Sequence, residues 1–188
     1  MEDRVFLFID LKDSTTYAEQ LGSIKYSMLI KDCIADINTL IRPFKGEIYQ
    51  YVGDEVVITW ITGETIETPY CIDIYFAFKD LLSSRTTYYQ NKYGLLPKFK
   101  AGVNGGSVTA TEIGDIKRDI AYHGDVLNTA SRIQEACNLY EQSFMITGNL
   151  LHKLSGLDKY NISSIGNIQL KGKHDGTDVY AINRSKSR

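Results

Sequence analysis

The chain has 188 residues, with 21 basic against 23 acidic side chains and no basic block, a balance that disfavours binding to a nucleic-acid backbone. Its length suits one domain, residues 1–188, with a full hydrophobic core. No apolar run approaches the roughly 18 residues of a membrane span, and Met1-Glu2-Asp3-Arg4 lacks the basic start of a signal peptide. A cytoplasmic unit with no membrane contact of its own is expected, whether it stands alone or is excised from a longer, membrane-anchored parent. Cys33, Cys71 and Cys137 are odd in number, far apart and set in helical patterns, which reads as buried free thiols in a reducing compartment. His123, His152 and His174 are scattered and no zinc spacing exists.

In chain order, Val5-Phe6-Leu7-Phe8-Ile9 is an uninterrupted apolar run, the pattern of a strand buried on both faces, and Asp10 ends it. Leu11-Lys12-Asp13-Ser14-Thr15-Thr16 is rich in N-capping side chains and opens a short helix, whose first N–H groups offer a cradle for phosphate. Tyr26, Ile30, Cys33, Ile34, Ile37 and Ile41 recur at steps of three and four, predicting a long amphipathic helix that stops before Pro43. Next, Tyr49 to Ile58 reads as a β-hairpin around Val52-Gly53-Asp54-Glu55, with Asp54 at its tip. If the hairpin lies beside the first strand, Asp10 and Asp54 converge, and two converging carboxylates call for a hard divalent cation between them. Spacing alone leaves another reading open, with Asp54 a turn residue and Asp10 a helix-start residue.

A second amphipathic helix is predicted from about Thr68 to Tyr89, with Cys71, Ile74, Phe78 and Leu81 inward. Lys98 to Val103 is the next strand, Asn104-Gly105-Gly106-Ser107 a bend or bulge, and Val108 to Ile113 its resumption. After a polar tip, Ile120-Ala121-Tyr122 returns and leads into a helix from Val126 to about Leu139. Asn128 and Arg132, four apart, share one stripe of that helix, either a solvated face or an anion or sugar site. Ser143 to Thr147 is a strand, a short helix lies near Leu150 to Leu154, and Ile162–Leu170 with Asp178–Ile182 makes a final strand pair. The sum is an α+β domain. It has a ferredoxin-like, palm-type βαββαβ core, a C-terminal strand extension and helices on one face of a mainly antiparallel sheet.

Five motifs along this chain match one family in order. They are Phe8-Ile9-Asp10-Leu11-Lys12-Asp13-Ser14-Thr15, Tyr51-Val52-Gly53-Asp54, Ala101 to Gly106, Gly124 to Arg132, and Leu170-Lys171-Gly172. The chain resembles the catalytic domain of class III nucleotidyl cyclases, the adenylyl and guanylyl cyclase family. That resemblance implies conversion of a nucleoside triphosphate to its 3′,5′-cyclic monophosphate in a head-to-tail homodimer with active sites at the interface. It implies two Mg²⁺ or Mn²⁺ ions held by Asp10, Asp54 and the Leu11 carbonyl. The loop Lys12, Asp13, Ser14 and Thr15 would help hold the triphosphate, with Lys171 contacting it as well. Asn128, orienting the ribose, and Arg132, steadying the transition state, would come from the other subunit.

At the two base-reading positions the chain departs from the family, carrying Gln50 where adenylyl cyclases have lysine and Ala121 where they have aspartate or threonine. Glu and Cys, usual in guanylyl cyclases, are absent there too. Gln50 both donates and accepts, so it can pair with an adenine or a pyrimidine edge. ATP is the expected substrate, a pyrimidine nucleotide the next reading and GTP the third. A nucleotide-binding regulatory module without turnover is the non-enzymatic alternative. A diguanylate cyclase would need a Gly-Gly-(Asp/Glu)-Glu-Phe hairpin, and a haloacid-dehalogenase-type phosphatase an Asp-x-Asp strand end; position 12 is Lys12.

Overall fold

The computed structural model describes residues 1–185. At its centre is β1 (Glu2–Leu11), buried without a break from Val5 through Ile9, as the apolar pattern requires. It pairs antiparallel with β3 (Glu55–Ile61) on one side and β4 (Phe99–Ile113) on the other. The eight-stranded sheet runs β2-β3-β1-β4-β6-β8-β7, with β2 (Glu47–Val52), β6 (Phe144–Thr147), β7 (Tyr160–Ile168) and β8 (Thr177–Arg184). Off this path β5 (Asp119–His123) pairs with the far half of β4. Among the described residues only the β4–β6 pairing is parallel, so the α+β, mainly antiparallel expectation holds.

The helices are α1 (Ser14–Ile41), α2 (Thr62–Thr65), α3 (Tyr70–Ser84), α4 (Thr86–Tyr93), α5 (Asp125–Leu139) and α6 (Gly148–Leu151). Within α1, Gly22 at φ 73 separates the short first helix from the long amphipathic one, matching the two segments expected. The alternation of β1 shows which helix covers which face. Val5, Leu7 and Ile9 join α1 residues Leu29, Cys33 and Ile37 and α3 residues Cys71, Ile74 and Phe78 in the largest cluster. Phe6 and Phe8 point the other way and pack with Val126 and Ala130 of α5. The expectation of helices on one face is thus corrected: α5 covers the opposite face. It gets there through Gly102, where a Cβ would sit 2.7 Å from the Ala130 carbonyl oxygen and overlap the Gln134 amide.

Three local expectations also change. Asn104 to Ser107 form no bend; they continue β4 in register with β1, Asn104 opposite Phe6 and Gly106 opposite Arg4. Their polarity is absorbed locally, since Asn104 donates to the Val126 carbonyl and accepts from Thr147. The helix expected to run unbroken to Tyr89 divides at Arg85, whose φ −100 and ψ 18 leave the helical region, and Leu82 instead of Leu81 is buried. Turning the chain there lets Tyr88, Tyr89 and Tyr93 reach Asp32 and Asp36 of α1, which is packing and not a platform for bases. All three cysteines are free and buried, and burial pushes each thiol up to about 12. Among the described residues no helix is long and apolar enough to cross a membrane.

Candidate active site

The β2–β3 hairpin closes with Val52 paired to Glu55, leaving Gly53 and Asp54 as a two-residue turn. Gly53 has φ 62, a conformation that costs glycine nothing and most residues dearly, so the turn can present Asp54 at its tip. Asp10, the penultimate residue of β1, lies one position beyond the Ile9–Val56 pair, at the same end of the strands as the β2–β3 turn. The two carboxylates are electrostatic neighbours: Asp10 is pushed above the usual carboxylate range by burial first and the Asp54 charge second. Among the described residues Asp54 Oδ2 is buried with no hydrogen-bond partner. An acceptor-only oxygen left bare beside a second carboxylate is the donor set of a hard divalent cation. No group of three His, Cys, Asp or Glu side chains among the described residues is arranged to hold a metal. A cation here would therefore complete its shell with backbone oxygen, such as Leu11, with water or with phosphate.

Four neighbours of this pair escaped the sequence reading. Gln134 Nε2 donates to Asp10 Oδ2 at 2.9 Å, and Lys100 Nζ lies 3.4 Å from the same oxygen. Lys100 is opposite Asp10 in the β1–β4 register, and a lysine inside Phe99-Lys100-Ala101-Gly102-Val103 was the available signal. Gln134 follows Ala130 by one helical turn on the inward stripe of α5, again a polar residue in an apolar row. Glu55 is pushed up to about 7, by burial and then by Asp10 and Asp54. The Tyr26 phenol, raised to about 12 by burial and then by Asp54, lies beside Asp54 and Ser14.

The loop after β1 fits a phosphate cradle less completely than expected. The Lys12 amide is already committed to the Lys98 carbonyl at 2.8 Å, and Asp13 does not cap with its side chain. Asp13 instead takes a left-handed conformation, φ 59 and ψ 31, which starts α1 directly. The first helical bond is Tyr17 to Asp13, so among the described residues the amides of Ser14 and Thr15 have no acceptor in the chain.

α5 carries the second group. Asn128 is exposed, and the Arg132 guanidinium lies against Gly172, where a Cβ would be 3.4 Å from Nη2. Lys171, the residue before Gly172, is exposed in the same β7–β8 loop. Position 134 is about 200° around the helix from position 132, so α5 offers Gln134 to Asp10 and Arg132 to another direction. Among the described residues no hydrogen bond or ion pair links Asn128 or Arg132 to Asp10 or Asp54. Within one chain the expected site residues thus fall in two places, the carboxylate pair and the α5 stripe of Asn128 and Arg132 beside the loop that carries Lys171.

Gln50 and Ala121 lie on separate strands joined by an aromatic contact. Tyr49 and Tyr122 rings are 5.2 Å apart, and the Tyr122 amide donates to the Tyr49 hydroxyl at 3.4 Å. A register shift between Ile48 and Gln50 leaves Tyr49 packed against Phe6 and Gln50 opposite Val57. Tyr51 faces away and donates to Asn38 of α1.

Residues 2–184 match the family model described as the adenylate and guanylate cyclase catalytic domain. The chain belongs to that family. Adenylate cyclase 2 of Rhizobium meliloti (strain 1021) is 32% identical over 172 residues, 92% of this chain and 47% of that protein. Adenylate cyclase of Anabaena cylindrica is 24% identical over 180 residues, 94% of this chain and 36% of that protein. This cyclase domain thus spans about half or less of the curated relatives it matches. The crystal structure of the adenylyl cyclase CyaB from P. aeruginosa superposes with a TM-score of 0.83 at 18% identity, covering 98% of this chain and 95% of that one. That likeness concerns the fold.

Proposed function

We propose that this cyclase domain converts a nucleoside triphosphate, ATP first, to its 3′,5′-cyclic monophosphate and pyrophosphate. The observation that carries the reading is the Asp10–Asp54 pair with its bare buried oxygen. Asp10, Asp54 and the Leu11 carbonyl would hold Mg²⁺ or Mn²⁺, two ions per site. Bound there, such ions would lower the pKa of the ribose 3′-hydroxyl and neutralise the departing pyrophosphate. The free amides of Ser14 and Thr15 orient the phosphates, and Lys171 adds a positive charge to them. Asn128 holds the ribose so that its 3′-oxygen lines up with the α-phosphorus. Arg132 stabilises charge building at phosphorus, a contribution typically worth about 10²–10³ in rate. Since α5 turns Arg132 away from its own carboxylates, a homodimer that joins the carboxylates of one subunit to the α5 of the other completes the site.

ATP is favoured because both curated relatives are named adenylate cyclases. A pyrimidine nucleotide is the second reading, supported by Gln50, whose side-chain amide both donates and accepts and can pair with a pyrimidine edge. Turnover with ATP, GTP, CTP and UTP, separately in Mg²⁺ and Mn²⁺ with products identified by mass, decides. Predominant cAMP is expected; predominant cUMP or cCMP replaces the base assignment, and no turnover with any of the four removes the enzymatic reading. Mixing inactive Asp10→Ala with inactive Arg132→Ala protein is expected to restore about a quarter of wild-type activity, since half of random dimers are mixed and each has one whole site. Absence of rescue in demonstrated heterodimers would defeat the shared site.

A further inference from the structure

Asp10 has two carboxylate oxygens, and the chain treats them differently. Oδ2 accepts from Gln134 Nε2 at 2.9 Å and faces Lys100 Nζ at 3.4 Å. Among the described residues Oδ1 receives no hydrogen bond. Gln134 is 2% exposed, and its seat is unusually firm. The Gln134 amide nitrogen lies over Gly102, where no side chain separates α5 from β4. An ionised carboxylate cannot donate, so only the NH₂ end of the amide can face it, which fixes the orientation of the Gln134 side chain. A buried glutamine on an apolar helix stripe costs stability unless it is hydrogen-bonded, and this bond to Asp10 is the only one its side chain makes among the described residues.

We propose that Gln134 is a positioning residue for the metal centre: by occupying Oδ2 of Asp10 together with Lys100, it turns Oδ1 toward Asp54 and the cation. The role rests on the two-carboxylate metal reading above. It also gives α5 two duties, aiming a ligand on its inner side while its outer side carries Asn128 and Arg132. Partners that hold a metal ligand from behind typically account for about 10–100-fold in metal affinity or activity.

The test is Mn²⁺ binding by the whole 188-residue chain without nucleotide, read as free Mn²⁺ by electron paramagnetic resonance. Gln134→Met, which keeps length and helix propensity but removes the donor, is expected to weaken Mn²⁺ binding about tenfold. The Mn²⁺ midpoint of turnover should shift by the same factor, with most of kcat recovered at saturating metal. Unchanged affinity in a folded Gln134→Met protein overturns the positioning role. Asp54→Asn separates the two readings: if it leaves Mn²⁺ binding as tight as in the wild type, the metal assignment itself fails. Should Gln134→Met not fold, the wild-type protein still answers through the Gln134 side-chain amide resonance. That signal is expected to move during Mg²⁺ titration; a static signal while other site resonances move overturns the proposal.

Discussion

Two acidic pairs lie on this protein, and they are furnished in opposite ways. Asp32 and Asp36, one turn apart on α1, draw their partners from α4 and from Arg85 just before it. Asp32 accepts from Tyr88, Lys92 and Tyr93 at 2.6–2.8 Å, and Asp36 from Tyr89 at 2.6 Å and from Arg85. Of Asp10 and Asp54, near the ends of β1 and β2, only Asp10 has an amide and a lysine, both on one oxygen, and an oxygen of Asp54 has no partner. Pairs that hold helices together are closed by the chain itself. A pair left short of positive charge is paid for elsewhere in the fold and waits for a ligand.

The contrast breaks most sharply at Asp54. Asp54→Asn is expected to lower turnover by at least about 10²-fold. In urea melts without divalent metal the same variant should be more stable by about 1 kcal/mol, because a buried charge without a partner is removed. A destabilised Asp54→Asn protein would mean that the carboxylate is structural after all. Asp36→Asn should do the reverse, costing about 2 kcal/mol by leaving the Tyr89 hydroxyl and Arg85 poorly matched, with the Mn²⁺ midpoint unmoved. A stability within a few tenths of wild type would remove Asp36 from the structural class.

The smallest effect belongs to Asp32. Burial pushes its carboxyl up, but Lys92, Tyr93 and Tyr88 together hold it below the ordinary 3.8. A depressed folded pKa contributes stability that is present above the unfolded value and lost as pH falls through the folded one. Thermal melts below about pH 4 should therefore steepen their decline in the wild type relative to Asp32→Asn, by roughly 1–2 °C. Parallel pH profiles for the two proteins would show that these partners add nothing.

Much of the Asp10–Asp54 pair was legible in the linear chain. Five apolar residues before Asp10 and a Gly-Asp corner between β-prone runs place both acids with no tertiary knowledge. That Asn128 and Arg132 share one stripe of α5 was legible because about four residues make a helical turn. What stayed hidden depends on distance along the chain. Gln134 meets Asp10 across 124 residues, and nothing local distinguishes a glutamine that grips a carboxylate from one in a solvated row. The assignment of α5 to the far face was hidden for a similar reason, since amphipathicity says that a helix covers a sheet but not which side. Gly105-Gly106 reads as part of a bend, whereas the backbone of α5 comes closest at Gly102.

That contact at Gly102 has a mechanical meaning. Most helices rest on a sheet through a layer of side chains whose rotamers soften and blur the spacing. Here peptide meets peptide, so the gap between Lys100 and Gln134 is gauged by backbone geometry. The jaws that grip Asp10 are in effect cut from a single piece.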